Sequence, residues 1–323
     1  MKKNINILII GCGFFSQNIY IPISILNFYK QNIFLYDERK KLKIETAKYF
    51  NCNYLNNLDK KTLNKKGIKI CILCFERSKS FNYSKTILSS NINLFAEKPV
   101  CSSSKGLKQL LILAKKNKVF FQSSFQRRFD YKLMNFKKIV RNFRNRLFTL
   151  KCNFYSGNFR FNKKTKIRTK EKIKNINNFK SKDKISFLIF LNRYWHIINA
   201  INLLFPFAKK IKDIRNIDFK FYSRTNYILK FSYKNRNFNL TMNSKKNKGW
   251  FEKYELLLEK RKNFSVKLLA PMKFSSKYIH KTSFNKQFIV FLKNLNTLNY
   301  NNIETYIDEL SFVEKIWKKK YLG

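Results

Sequence analysis

The chain has 323 residues, 44% of them hydrophobic and 17% aromatic, which excludes a disordered protein and leaves room for two domains with cores. Its formal net charge of +51 is typical of proteins that bind nucleic acid or an anionic membrane surface. The basic residues are, however, spread along the whole chain and accompany many Asn, Ile and Phe residues, whose codons are also A/T-rich. Our hypothesis is therefore that an A/T-biased genome produced the charge. A charge-driven polyanion binder is kept as an alternative hypothesis, and nucleic acid is not expected as a partner.

The six cysteines form no dense framework, and the chain contains two histidines. This cysteine usage is typical of a reducing compartment, and so few histidines argue against a metal site. Cys71 and Cys74 lie in an apolar run that predicts a strand, where side chains three residues apart face opposite sides. We interpret both as structural cysteines. Since no apolar run reaches the ~18 residues of a membrane span, we expect a cytoplasmic protein that enters no membrane.

Residues 1–124 alternate between strand and helix patterns. Continuous apolar runs, such as 5–10, are typical of strands buried on both faces of a sheet. The predicted strands are 5–10, 32–36, 68–75, 94–96 and 119–124, and the predicted helices are 14–29, 40–50, 80–90 and 105–117. This alternation predicts an α/β domain with a doubly wound parallel sheet and right-handed crossovers.

Residues 125–323 form the second predicted domain, because strand patterns there follow one another with one helix interrupting them. The predicted strands are 147–155, 217–222, 227–233, 238–242, 254–259 and 264–269, and the predicted helices are 194–205, 284–298 and 303–321. Consecutive strands of this kind indicate an α+β domain with a large, mostly antiparallel sheet. Residues 162–184 are rich in Lys and Asn and poor in apolar residues, and we interpret them as a solvated insertion.

A glycine-rich turn follows the first predicted strand, with the sequence Gly11-Cys12-Gly13-Phe14-Phe15-Ser16. Gly11 permits the tight turn, and Gly13 lets a pyrophosphate approach the backbone at the start of the next helix. Ser16 is small enough for the close contact between helix and strand that the third position requires. The turn predicts a Rossmann domain that binds a dinucleotide.

Asp37 ends the second predicted strand, where a carboxylate can accept hydrogen bonds from the hydroxyls of the adenosine ribose. A negative charge there repels a 2′-phosphate, so Asp37 favours NAD over NADP. Arg39 lies two residues further on and can soften that preference. The expected cofactor is NAD or NADP.

A charged segment, Glu97-Lys98-Pro99, follows the fourth predicted strand. A lysine at the carboxyl end of a parallel strand faces the crevice in which ligands bind. There Lys98 can bind or deprotonate a substrate hydroxyl. In isolation the same segment also fits a plain surface turn, because lysine is abundant in this chain.

Four segments together resemble the Gfo/Idh/MocA oxidoreductase family, which includes glucose–fructose oxidoreductase and inositol dehydrogenase. The segments are 11–15, 96–100 with Glu97-Lys98-Pro99, 125–130, and 196–199 leading into 203–205. The resemblance implies a Rossmann domain followed by an α/β domain with the active site between them. It also implies NAD(P)-dependent hydride transfer at a carbinol or carbonyl carbon of a sugar, polyol or nucleotide sugar. Relatives commonly form homo-oligomers through the open sheet of the second domain, and we expect the same here.

The resemblance also assigns residues to the site. Glu97 and Lys98 would flank the nicotinamide and the substrate, and Arg128 would lie near the domain junction. His196 would correspond to the family's active-site histidine. The expected catalytic residues are Lys98, His196 and Asn192. The expected cofactor-binding residues are Gly11, Gly13, Phe14, Phe15, Asp37, Arg39, Glu97 and Arg128.

This chain departs from the family pattern around the histidine and after one strand. The aspartate usually found four residues before the histidine is Asn192, and the one that often follows it by three is Asn199. Phe75 to Arg77 and Ser80 stand where a Thr-Pro-Asn-x-x-His stretch is common. Asn192 can hydrogen-bond to a hydroxyl but cannot act as a base. The alternative is therefore a catalytically degraded member that binds dinucleotide or sugar without turnover.

Overall fold

The computed structural model describes residues 2–155, 165–173, 182–223, 226–243, 251–258, 263–269 and 280–319. The chain divides into two compact units. The first consists of Met1–Ser124, Arg160–Lys180 and Lys273–Glu304, and the second of Phe125–Phe159, Ser181–Met272 and Thr305–Gly323. The predicted boundary after residue 124 falls at a unit boundary. The two predicted domains, 1–124 and 125–323, nevertheless remain a prediction, because two later segments group with the first unit.

The first unit contains a parallel sheet of six strands. They are β1 (Asn6–Ile10), β2 (Ile33–Tyr36), β3 (Asn53–Tyr54), β4 (Ile68–Leu73), β5 (Asn93–Glu97) and β6 (Phe121–Ser124). Their order, β3-β2-β1-β4-β5-β6, is that of a doubly wound dinucleotide-binding sheet. The predicted parallel sheet is therefore confirmed. The sequence pattern missed β3, which has only two residues, both exposed.

Among the described residues, the first unit also contains six α-helices. They are α1 (Ile21–Asn27), preceded by π-helical Ser16–Tyr20, then α2 (Lys40–Phe50), α3 (Lys60–Lys65), α4 (Arg77–Ser89), α5 (Ser104–Lys116) and α8 (Ser283–Asn294). Ser103 caps α5 by accepting a hydrogen bond from the Gly106 N–H at 3.1 Å. The helix α8 joins this unit because the rings of Phe288 and Phe291 pack on Phe95 of β5.

The second unit contains the other sheet, also with six strands. They are β7 (Phe148–Tyr155), β8 (Arg215–Ser223), β9 (Asn226–Tyr233), β10 (Arg236–Asn243), β11 (Phe251–Leu258) and β12 (Asn263–Leu269). The strand order is β12-β11-β7-β10-β9-β8. The β7–β10 pair is parallel and the other neighbouring pairs are antiparallel, which confirms the predicted, mostly antiparallel sheet.

Helices cover the inner face of this second sheet. They are α6 (Tyr131–Asn142), α7 (Lys182–Leu204) and α9 (Asn301–Lys319), most of which belongs to this unit. Phe190 of α7 packs against Tyr227 of β9, and Phe312 of α9 packs against Phe231 of the same strand. The helix α7 is longer than the predicted 194–205, because the apolar run from 185 to 191 continues it towards the N-terminus.

Among the described residues, no helix combines the length and the hydrophobicity needed to span a bilayer. No group of three His, Cys, Asp or Glu side chains in this part of the chain is arranged to hold a metal ion.

Candidate functional site

The glycine-rich turn joins β1 to the helical segment that follows it, and its two glycines have different roles. Gly11 has a φ of +101°, and a Cβ atom there would collide with the backbone carbonyl of Cys74. A Cβ atom on Gly13 would meet no atom of the described residues within 4 Å. The packing of the protein therefore does not require glycine at position 13. Open space above this turn is what a dinucleotide phosphate needs in order to approach the backbone.

A cavity of about 230 Å³ opens beside this turn. Its lining residues are Cys12, Gly13, Phe14, Arg39, Leu42, Thr165, Ile167, Arg168 and Thr169. The structure thus brings together three of the predicted cofactor residues, Gly13, Phe14 and Arg39. Phe15 instead packs against the hydrophobic core of the first unit and meets the ring of Phe14 edge to face.

The second wall of the cavity belongs to residues 165–173, which we call the strap. The Ile167 N–H donates to Gln17 Oε1 at 2.9 Å, and Gln17 Nε2 donates to the Ile167 carbonyl at 3.0 Å. The same Nε2 donates to the Cys12 carbonyl at 2.8 Å, so one buried amide joins the strap to the glycine-rich turn. Glu171 accepts hydrogen bonds from the N–H groups of Lys41 and Leu42 at the start of α2.

The prediction of a solvated insertion at 162–184 therefore holds only in part for the strap, in which Lys166, Arg168, Lys170 and Lys172 are exposed while Ile167 packs against the core. Residues 182–184 begin α7. Residues 162–164 and 174–181 lie outside the described residues. The Lys/Asn-rich composition concealed the fold here, since the strap is held by hydrogen bonds between side chains and backbone groups and by the apolar side chain of Ile167, which packs against the core.

We expect Gln17→Ala to release the strap. The change leaves the N–H and the carbonyl of Ile167 without their side-chain partner, and each lost hydrogen bond costs about 0.5–1.5 kcal/mol. Trypsin cleavage within the strap, after Lys166 or Arg168, should accelerate roughly tenfold or more, as followed by mass spectrometry. Asn18→Ala is the control, because Asn18 donates to the Phe14 carbonyl within its own helical turn. Equal cleavage rates in the two variants would contradict this role for Gln17.

Asp37 is buried at the carboxyl end of β2, and its carboxylate contacts both the turn and Arg39. Its Oδ2 accepts from the Cys12 N–H at 2.8 Å and from Arg39 Nη2 at 2.7 Å. Its Oδ1 accepts from the backbone N–H of Arg39 at 3.0 Å and from Arg39 Nε at 2.8 Å. The side chain predicted to bind ribose is thus part of an ion pair.

Lys98 follows the last residue of β5, at the same carboxyl edge of the sheet as the glycine-rich turn. The carboxylate of Glu97 accepts hydrogen bonds from the Tyr20 hydroxyl, from Ser124 Oγ at 3.1 Å and from the Lys98 N–H at 3.1 Å. Burial raises the pKa of Glu97, while the positive charge of Lys98 and these hydrogen bonds oppose that shift. Glu97 therefore fixes the backbone that carries Lys98.

His196 lies on α7 in the second unit, where only 2% of it is exposed. Its Nε2 is 3.4 Å from Gln126 Nε2 and 3.9 Å from Glu252 Oε1. Glu252 of β11 accepts from Arg127 Nε at 2.9 Å and from the Tyr254 hydroxyl at 2.6 Å, and Arg127 Nη2 lies 2.8 Å from its Oε1. His196 thus belongs to a buried polar cluster built around the pair of Arg127 and Glu252. Asn192 is half-buried about one turn earlier on the same helix.

Arg128 belongs to a second polar cluster in this unit. Its Nη2 lies 2.8 Å from Glu309 Oε1, and its Nε donates to Asn199 Oδ1 at 3.1 Å. The amides of Asn199 and Asn202 donate to Glu309 at 2.6 and 2.7 Å. An aspartate at position 199 would add a second carboxylate beside buried Glu309, whereas the Asn199 amide donates a hydrogen bond to it. The predicted contact between Arg128 and the cofactor stays a prediction.

Sequence reasoning did not select Gln17, Arg127, Glu252 or Glu309. Glu252 had a readable signal, since it occupies an inward position of β11 in phase with Tyr254 and Leu256. A charged residue in an apolar phase indicates a buried partner. Gln17 had no such signal, because its partner Ile167 lies 150 residues further along the chain.

The described geometry defines a fold class. It combines a Rossmann-type α/β unit, with open space over the glycine-rich turn, and a unit built on a mostly antiparallel sheet. Residues 5–125 match the sequence profile of the Gfo/Idh/MocA family, described as an oxidoreductase family with an NAD-binding Rossmann fold. Over these residues the chain is similar to that family, which confirms the predicted resemblance. No curated protein sequence matches the chain.

Solved structures share the fold over nearly the whole chain. A myo-inositol 2-dehydrogenase from Lactobacillus plantarum has a TM-score of 0.72 and 12% identity, covering 99% of this chain and 98% of its own. GenD2 from gentamicin A biosynthesis, in complex with NAD, has a TM-score of 0.73 and 10% identity, covering 97% and 93%. A Gfo/Idh/MocA family oxidoreductase from Vibrio cholerae has a TM-score of 0.68 and 13% identity, covering 99% of each chain.

Proposed function

We propose that this chain is an NAD(P)-dependent oxidoreductase that transfers a hydride at a carbinol or carbonyl carbon of a sugar, polyol or nucleotide sugar. The observation that carries the proposal is the open space over Gly13 at the sheet edge where Lys98 emerges. The similar structures support it, since one is named a myo-inositol 2-dehydrogenase and another was solved with NAD. NAD(P), when bound, supplies the nicotinamide carbon that donates or accepts the hydride.

In this proposal the glycine-rich turn binds the pyrophosphate through backbone N–H groups near Gly13 and Phe14. Lys98 orients or deprotonates the substrate hydroxyl, and Glu97 keeps the backbone of Lys98 in place. His196 assists and Asn192 positions the substrate by hydrogen bonding, as the family resemblance implies.

The buried position of His196 beside Glu252 favours one second candidate, a family member that binds dinucleotide or sugar without turnover. Asn192 supports the same alternative because an amide cannot take up a proton. The variant Asn192→Asp separates the two. A large gain in turnover would mark the native site as degraded, and no gain would favour the active enzyme.

The test of the proposal begins with calorimetric titration of the protein with NADH and with NADPH, in about 0.3 M salt to suppress nonspecific binding of polyanions. Saturable binding of either dinucleotide supports the site. Absence of binding by both would overturn the oxidoreductase proposal and bring the polyanion-binding hypothesis forward.

We expect Lys98→Met to lower turnover by roughly 10²–10⁴-fold, because it removes the group that handles the hydroxyl proton. The dissociation constant of the dinucleotide should stay within about threefold, since other residues bind its phosphates. Turnover is measured by nicotinamide absorbance with a panel of hexoses, inositols and nucleotide sugars. Lys105→Met is the control, because Lys105 is an exposed lysine on α5. Unchanged turnover in Lys98→Met would exclude its catalytic role.

We also propose a homo-oligomer formed through the outward face of the second sheet. On β9 this face presents Asn226, Ile228, Lys230 and Ser232, none of them fully buried. The net charge of +51 opposes self-association at low salt, so the association should strengthen as the salt concentration rises. Sedimentation velocity at two salt concentrations tests this, and a monomer at both would contradict it.

A further inference from the structure

We propose that Arg39 makes NADP(H) the preferred dinucleotide of this site, opposite to the preference that the sequence position of Asp37 indicates. The inference rests on the proposed function, because it concerns the adenosine end of the same dinucleotide site. It names Arg39 as the residue that determines cofactor specificity, with Arg168 as its partner across the cavity.

The first argument is the number of hydrogen bonds that Asp37 already accepts. Two donors reach Oδ1, both from Arg39, and two reach Oδ2, from Cys12 and Arg39. A carboxylate offers about four lone-pair sites, so this one has no strong acceptor left for the ribose hydroxyls. Because only 1% of Asp37 is exposed, the group is held in this arrangement. Asp37 therefore cannot accept the hydrogen bonds from the ribose hydroxyls by which an aspartate at this position selects NAD.

The second argument is charge. An aspartate at this position excludes NADP because its negative charge repels the 2′-phosphate. Here the Arg39 guanidinium lies 2.7 Å from the Asp37 carboxylate and neutralises it through two parallel contacts, from Nε and Nη2. A guanidinium has five N–H donors, and these contacts use the ones on Nε and Nη2 that face Asp37. The Arg39 side chain is 21% exposed and lines the cavity, where its remaining donors suit a phosphate.

The third argument is the composition of the cavity wall. Among its described lining residues, the charged ones are Arg39 and Arg168, and none is Asp or Glu. Thr165 and Thr169 of the strap add hydroxyl groups to the same wall. Glu171 is close in the chain, but its oxygens accept from the N–H groups that begin α2, where a negative charge is favoured. A wall with two guanidinium groups fits a phosphate dianion better than a neutral hydroxyl.

The experiment compares affinities and requires no turnover. Isothermal titration in about 0.3 M salt measures the dissociation constants of NADPH and NADH. Titration with 2′,5′-ADP and 5′-AMP isolates the adenosine end. We expect NADPH and 2′,5′-ADP to bind roughly tenfold or more tightly than their counterparts without the 2′-phosphate. In Arg39→Gln, NADPH binding should weaken by roughly 10- to 100-fold and NADH should bind equally or better, since no guanidinium then offsets the negative charge of Asp37 or occupies its oxygens.

The matched control is Lys48→Gln, which removes one positive charge from an exposed position on α2 and should leave the NADPH-to-NADH ratio unchanged. Arg39→Lys keeps the charge but not the fork, and should lie between the wild type and Arg39→Gln. Equal affinity for NADH and NADPH in the wild type, or an equal ratio in Arg39→Gln and Lys48→Gln, would overturn this inference while leaving the dinucleotide site intact. If neither dinucleotide binds, the proposed function itself fails.

Discussion

Gly11→Ala is expected to destabilise the first unit by about 3 kcal/mol or more, whereas Gly13→Ala should leave its stability nearly unchanged and weaken dinucleotide binding. The two glycines belong to one turn and the substitutions add the same methyl group. At Gly11 that group meets the carbonyl of Cys74, and the φ of +101° is itself unfavourable for a residue with a side chain. At Gly13 it enters the open space in which we place the pyrophosphate.

The measurement is urea-induced unfolding of both variants, followed by titration with NADPH. For Gly13→Ala we expect a free energy of unfolding within about 0.5 kcal/mol of the wild type and dinucleotide binding weakened roughly 10- to 100-fold. Normal stability in Gly11→Ala would contradict the close approach of β1 and the chain after β4. Normal binding in Gly13→Ala would place the dinucleotide elsewhere.

The second large effect is expected from Glu252→Gln in the second unit. The side chains of Glu252 and Arg127 are 1% and 2% exposed and lie 2.8 Å apart, whereas the other carboxylate near Arg127, that of Asp130, is 22% exposed and lies 3.3 Å away. Removing one partner of a buried ion pair costs about 3–5 kcal/mol, because the other charge stays buried without full compensation. Urea-induced unfolding of the variant should show a loss in that range.

Glu255→Gln is the matched control on the same strand. Its partner Lys253 lies 2.7 Å away, but that side chain is 43% exposed, and exposed pairs contribute about 0–1 kcal/mol. Similar losses of unfolding free energy in Glu252→Gln and Glu255→Gln would contradict the prediction that the buried pair with Arg127 contributes more to stability than the exposed pair.

Local patterns of apolar residues predicted most elements of the fold. The apolar run at 5–10 predicted a buried strand, observed as Asn6–Ile10, and the strand pattern at 147–155 predicted one observed as Phe148–Tyr155. Both patterns depend on which side chains are buried along a single segment, which is a property of the local sequence. The β7–β10 pairing could not be predicted, since it is parallel and joins segments distant in the chain.

The sequence by itself determined the fold class of this protein: the glycine-rich turn and the alternating strands sufficed to predict an α/β fold with a Rossmann-type first unit. Only the tertiary structure decided the state of the site residues. The sequence predicts that Asp37 binds the ribose, but in the structure its carboxylate is paired with Arg39. The sequence places the strap in a solvated insertion, but in the structure Gln17 holds its backbone. The physical reason is that the electrostatic environment and the free hydrogen-bonding capacity of a side chain depend on its neighbours in space. The periodic pattern of apolar residues, in contrast, is a property of the local sequence.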